Sequence, residues 1–150
     1  MFRGLHNVSL DAKGRIKLPK RHSETILEVS SGEVVLSIHP EDSCLLLYTI
    51  PEWLKIEEKV NRLPSLNPYT KRIRRKLIGH ATECRLDKAS RVLIPNELRS
   101  LACLDKKIVL SGQGKSFEIW DESLWNSQLS ELDNITLKTD IPEEVTQLTL

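Results

Sequence analysis

Leu10-Asp11-Ala12-Lys13-Gly14-Arg15-Ile16-Lys17-Leu18-Pro19 aligns without a gap on Leu86-Asp87-Lys88-Ala89-Ser90-Arg91-Val92-Leu93-Ile94-Pro95, at an offset of 76. Further along, Val34-Val35-Leu36-Ser37 matches Ile108-Val109-Leu110-Ser111 at an offset of 74, and Tyr48 and Trp53 match Trp120 and Trp125 at 72. The order is kept and each slip falls where a loop is expected. The pattern is that of a duplicated unit of roughly 45 residues.

Each unit reads as mostly strand with a short helix. Val8-Ser9-Leu10 precedes the shared motif, and Ile16-Lys17-Leu18 or Val92-Leu93-Ile94 follows it; these β-branched and aliphatic runs stop at Pro19 and Pro95. A proline suits the first turn of a helix, where its missing N–H costs nothing, and Ile26-Leu27 or Leu98 and Leu101 supply that helix's buried side. Two further strands follow in each unit, 34–38 with 45–48 and 108–110 with 117–120. His39-Pro40-Glu41-Asp42 and Gly112-Gln113-Gly114 form their turns. Thr49-Ile50-Pro51-Glu52 has the spacing of a capping box, ahead of Trp53, Ile56, Val60 and Leu63 on one helical face. Asn67-Pro68 opens a second helix with Tyr69, Ile73 and Leu77 inward and Lys71, Arg72, Arg74, Arg75 and Lys76 outward; Asp121 caps another with Leu124, Trp125 and Leu129 inward.

Neither unit has enough strand to hide both edges of a sheet. Two units interleaving their hairpins remove exposed edges. The expected fold is therefore mainly β with flanking α-helices, a pseudo-twofold swapped-hairpin barrel built from two tandem repeats. Its expected divisions are a first repeat over 1–55, a helical connector over 56–78, a second repeat over 79–126 and a helical, acidic tail over 127–150.

The 150 residues, 39% hydrophobic, suffice to fold without disulfides or metals. No stretch approaches the roughly 18 apolar residues of a spanning helix, and the N-terminus lacks a signal peptide's apolar core, so no membrane partner and a cytoplasmic location are expected. Cys44, Cys84 and Cys103 stand far apart and read as small buried hydrophobes. His80 and Cys84, spaced for one helical face, are too few ligands for zinc, so no metal and no cofactor are expected.

The chemistry lies in the repeated Asp-x-x-x-Arg. An acid entering the turn accepts backbone N–H bonds and orients the arginine four positions later, while Gly14 frees the turn to take positive φ. Held this way, a guanidinium presents a planar fork suited to guanine O6/N7 or to a phosphate. The plain alternative is an ion pair that only pins the turn. Residues 1–22 tip the reading: Arg3, Lys13, Arg15, Lys17, Lys20 and Arg21 face a single acid, Asp11, which is the electrostatic footprint of a protein that binds a polyanion. The overall formal charge of +1 hides this, because residues 131–150 carry five acids and one lysine. In the second copy Ser90 replaces the glycine, and its loop, with Lys88 and Arg91, is expected to be stiffer or differently shaped.

Phe2-Arg3-Gly4, Leu10-Asp11-x-Lys13-Gly14-Arg15 with Pro19, Leu45-Leu46-Leu47-Tyr48 with Pro51-Glu52-Trp53, and Gly79-His80-Ala81 with Glu83-Cys84 and Asp87-x-x-x-Arg91 together resemble the bacterial MraZ family. The resemblance covers all but the acidic tail. It implies tandem SpoVT-AbrB-type units, assembly of protomers into a homo-oligomeric ring, and nucleoid-associated regulation of transcription at the division and cell-wall gene cluster. It further implies binding of double-stranded promoter DNA at short direct repeats, with Arg15 the leading contact. Arg15 is then expected to read a base edge, with Lys13, Lys17, Lys20, Arg21 and Arg3 on phosphates and Arg91 and Lys88 in the second loop; Asp11, Gly14 and Asp87 shape the turns.

Two rival classes remain open from sequence. Gly112-Gln113-Gly114-Lys115-Ser116 resembles the end of a phosphate-binding loop, but Val109 stands where that motif needs glycine and a strand follows where it needs a helix. An enzyme, and with it a small-molecule substrate, is therefore not expected. The other rival is a ring-forming scaffold whose basic loops dock protein, and residues 71–76 leave a second DNA surface, a solvated helix face or a partner for the acidic tail all open.

Overall fold

The computed structural model describes residues 1–134 and 141–150; the part of the expected tail between them lies outside the described residues. Eight strands and their helices follow in the order β1 (Phe2–Ser9), β2 (Arg15–Lys17), α1 (Lys20–Ser30), β3 (Glu33–Ile38), β4 (Leu45–Thr49), α2 (Ile50–Asn61), α3 (Pro68–Ile73), a π-helical turn (Arg74–Ile78), β5 (Thr82–Arg85), β6 (Arg91–Leu93), α4 (Asn96–Leu101), β7 (Lys107–Gly114), β8 (Ser116–Asp121), α5 (Glu122–Asp133) and α6 (Glu143–Thr146). The fold is mainly β with flanking helices.

The two copies of the repeat are interleaved. Six strands form one antiparallel sheet in the order β1-β7-β8-β4-β3-β5, and β2 and β6 form a separate ribbon. Exchanging each strand for its counterpart in the other copy (β1 for β5, β3 for β7, β4 for β8) reads this order backwards, which is the mark of a twofold. Only β3–β4 and β7–β8 pair within a copy; β1–β7, β3–β5, β4–β8 and β2–β6 all join the two. The ribbon lies beside both ends of the sheet, β2 near β1 and β6 near β5.

The central strands are buried on both faces, so they read as continuous apolar runs rather than as alternation. Val34, Leu36, Ile38, Leu45, Leu47, Ile108, Leu110, Phe117 and Ile119 point into one core, which Ile16 and Val92 of the ribbon, Ile26 of α1 and Leu98 of α4 close. On the opposite face Val35 and Leu46 pack under Trp53 and Val60 of α2 and Leu77 of the π turn. Val109 and Trp120 pack with Cys44 against α5. The end strands β1 and β5 instead alternate.

Local expectations fail where tertiary packing decides. Pro19 and Pro95 occupy the cap position just before their helices, with extended ψ of 141° and 143°, rather than the first helical turn. Leu27 and Leu101 face outward, leaving Ile26 and Leu98 to fill the core. Thr49 caps α2 by backbone alone, without the reciprocal bonds of a capping box, and Leu63 lies beyond the helix. Asn67 and Asp121 do cap, accepting from Tyr69 N and Ser123 N. Leu129 is exposed, as is Tyr69, whose inward place Thr70 takes. The π turn after Ile73 re-phases the chain and brings Leu77 inward. Gly112-Gln113-Gly114 belongs to β7, because Phe2, Arg3 and Gly4 of the other copy pair with it. Cys44 is buried, but Cys84 is half-buried in a strand and Cys103 is exposed, at a positive φ of 54° just after α4. His80 and Cys84 therefore do not share a helix.

Candidate nucleic-acid interface

The two Asp-x-x-x-Arg turns are built alike. Asp11 Oδ1 accepts from the backbone N–H groups of Lys13 and Arg15, both at 2.9 Å, and Oδ2 accepts from Arg15 Nε at 2.8 Å. Asp87 does the same with Ala89 N at 2.8 Å, Arg91 N at 2.9 Å and Arg91 Nε at 2.9 Å. The backbone closes each turn identically: Asp11 N donates to Arg15 O and Gly14 N to Asp11 O, as Asp87 N does to Arg91 O and Ser90 N to Asp87 O. Gly14 sits at φ 83° and Ser90 at φ 60°. The second loop thus has the shape of the first. Serine adopts the left-handed conformation there at a modest steric cost, so the expected difference in shape is not present.

Each aspartate is held below the ordinary carboxylate pKa. The largest cause is the backbone N–H of the arginine in its own motif, aided by the other backbone donor and the guanidinium and opposed by desolvation. Because the salt bridge uses Nε, neither Nη of Arg15 or Arg91 bonds to protein among the described residues. The arginine is oriented from behind and its fork stays free.

The ribbon brings the turns together. Arg15 pairs with Leu93, Ile16 with Val92 and Lys17 with Arg91. Ile16 and Val92 point inward and are fully buried, so by strand alternation Arg15, Lys17, Arg91 and Leu93 share the outer face. Arg15 and Arg91 are diagonal neighbours, about 7–8 Å apart at Cα. Lys13 and Lys88 are exposed in the turns, and Lys20 and Arg21 open α1 directly after β2. Lys17 and Lys20 line a shallow trough with residues 5–9 of β1. Arg3 is set apart, paired with Gln113 and about 20 Å along β1 from the turn.

One further residue beside the first turn comes from outside the repeated motif. Arg99 of α4 lies against Gly14, where a Cβ would stand 2.6 Å from its Cζ and Nη1. Glycine at position 14 eases the positive φ and leaves room for the Arg99 guanidinium, which a side chain there would displace.

Interleaved tandem β units that display twin arginine-bearing turns on a short ribbon define a class of pseudo-symmetric, mainly β domains. The chain belongs to the MraZ family: the family model described as "MraZ protein, putative antitoxin-like" matches it twice, over residues 1–76 and 77–147. It is 45% identical over 152 aligned residues to the "Transcriptional regulator MraZ" of Halorhodospira halophila, with the whole of both chains covered. Proteins of the same name from Coxiella burnetii and Escherichia coli are 45% and 46% identical, again over the whole of both chains.

Proposed function

We propose that the protein regulates transcription by binding promoter DNA through the Arg15 turn, displayed repeatedly on a ring of identical protomers. The observation that carries the reading is the clamp: Asp11 holds the Arg15 guanidinium by Nε alone, on an outward ribbon face with Lys17 and Arg91. A pre-oriented fork loses little freedom on binding, and the surrounding lysines supply the phosphate contacts that dominate affinity. One turn binds weakly and salt-sensitively. Repetition around a ring converts several weak contacts into one tethered event, which suits direct repeats in a promoter. The exposed Leu54, Leu66 and Tyr69 and the open edge of β1 offer surface for that assembly. The targets are the promoter repeats of the division and cell-wall gene cluster, and the site of action is the nucleoid in the cytoplasm. Among the described residues no helix is long and apolar enough to cross a membrane.

A gel-shift titration on the promoter upstream of the protein's own gene tests this, with wild type beside Arg15→Ala and masses measured by light scattering. Arg15→Ala should lose preference for the promoter over scrambled DNA while keeping its mass. Undiminished promoter preference in this variant would remove Arg15 from the reading. A well-folded wild-type oligomer that retards no DNA at moderate salt would favour a protein-docking scaffold instead.

A further inference from the structure

The two turns share one backbone shape, yet they are not equivalent, and the difference comes from the other copy of the repeat. Over Gly14 lies the guanidinium of Arg99, with Cζ and Nη1 both 2.6 Å from where a Cβ would stand and Nε at 3.0 Å. At the position equivalent to Arg99 in the first copy, at the same offset of 76, stands Ser23, and its hydroxyl is spent on Lys20 O. Correspondingly, the second turn has Ser90 where the first has Gly14. Glycine and arginine go together at one turn, serine and serine at the other.

Among the described residues the Arg99 side chain has no hydrogen-bond or ion-pair partner. Its Nε is buried without a hydrogen bond, and among the described residues the guanidinium makes no ion pair. Its backbone is nevertheless well fixed: Arg99 N donates to Pro95 O, and Arg99 O accepts from Leu104 N. Asp11, the acid of the turn, is already committed to Lys13 N, Arg15 N and Arg15 Nε. Partial desolvation of a cation without an acceptor destabilises the free protein, and an anion seated on the turn removes that cost.

We propose that Arg99 contacts a DNA backbone phosphate at the Arg15 turn, making this a composite site to which each repeat contributes one arginine. The inference rests on the reading of the Arg15 turn as a DNA contact. It makes the two like-shaped turns unequal: the first has the Arg99 guanidinium over Gly14, beside Lys13 and Arg15 in the same turn, and the second has Ser23 in the equivalent helix position. It also assigns Gly14 a role beyond the turn, since any side chain there displaces Arg99.

The test is DNA affinity as a function of salt for the full-length oligomer, on the promoter duplex and on a scrambled duplex, for wild type, Arg99→Ala, Arg99→Lys and Arg15→Ala. Removing a cation that binds a phosphate weakens all sequences about equally and flattens the salt slope by about one unit for each protomer whose turn engages the duplex. Arg99→Ala should therefore bind both duplexes about tenfold or more weakly, with a flatter slope and unchanged promoter preference. Arg99→Lys, which keeps the charge, should recover part of the affinity and the slope. Without DNA, the thermal midpoint of Arg99→Ala should equal or exceed that of wild type, since the alanine removes an unpaired buried donor. A fall in midpoint that Arg99→Lys does not restore would make Arg99 a packing residue and overturn the proposal. Wild-type affinity and slope in Arg99→Ala, with promoter preference lost in Arg15→Ala, would overturn it while leaving the Arg15 reading in place. Unchanged binding in both variants would remove the reading and the inference together.

Discussion

At the scale of single residues, the turn is organised by one carboxylate with three donors. The largest influence on Asp11 is the Arg15 backbone N–H, not the Arg15 side chain. Replacing Arg15 by alanine leaves both backbone bonds in place, so the Asp11 carboxyl should still titrate below its ordinary value of 3.8 in that variant; carboxyl NMR shifts followed against pH check this. The sign of the linkage follows. A carboxylate with its folded pKa depressed stabilises the fold fully above its unfolded value. That stabilisation is lost as pH falls below 3.8 through the depressed folded value. Stability measured from pH 7 down to pH 5 should therefore be unaffected by Asp11→Asn beyond a constant offset, and the offset should shrink only below pH 4. Asp-x-x-x-Arg was legible in the sequence because all its partners lie within five residues. Arg99 was not, because its closeness to Gly14 depends on a contact across 85 positions.

At the scale of elements, the ribbon β2–β6 is the part whose small size matters most. Three pairs hold it, and the middle one, Ile16 with Val92, is fully buried under the twofold and holds both turns to the core. Ile16→Ala should cost about 3 kcal/mol, the usual range for truncating an aliphatic side chain in a well-packed core. It should also broaden the signals of both turns rather than of the nearer one alone, which urea unfolding together with amide NMR would register. The short strands and the helix starts were readable from β-branched runs and prolines. Which aliphatic residue of α1 or α4 faces inward was not: Ile26 and Leu27 are adjacent and both strongly apolar, and only the position of the sheet selects Ile26. The π turn escaped for a related reason. Tyr69, Ile73 and Leu77 fit an ideal helical face, and it is the seating of Leu77 beneath α2 that extends the turn and leaves Tyr69 in solvent.

At the scale of the whole molecule, the two repeats have one core between them. Among the described residues four of the six strand pairings cross from one copy to the other, and β1 has its ladder with β7 alone. Neither half should fold alone. Residues 1–78 expressed by themselves should give a spectrum without dispersed amide resonances, or a swapped dimer by light scattering, and mixing with residues 79–150 should restore the native spectrum. A dispersed monomer from either half would contradict the interleaving. The same arrangement puts Arg91 beside Lys17 and Arg99 over Gly14, so residues from both copies meet at the ribbon and at the first turn.

The sequence by itself determined the duplication, the mainly β class, the twin turns and the basic bias of the first 22 residues. These are local or periodic properties, and a chain states them in order. Tertiary structure alone decided which copy's strands pair, which apolar residues reach the core, that Ser90 keeps the glycine-like turn, and that Arg99 completes the first turn and no equivalent completes the second. Each of these depends on groups far apart in the chain meeting in one place, where packing and the need to pair buried polar atoms override what any single segment prefers.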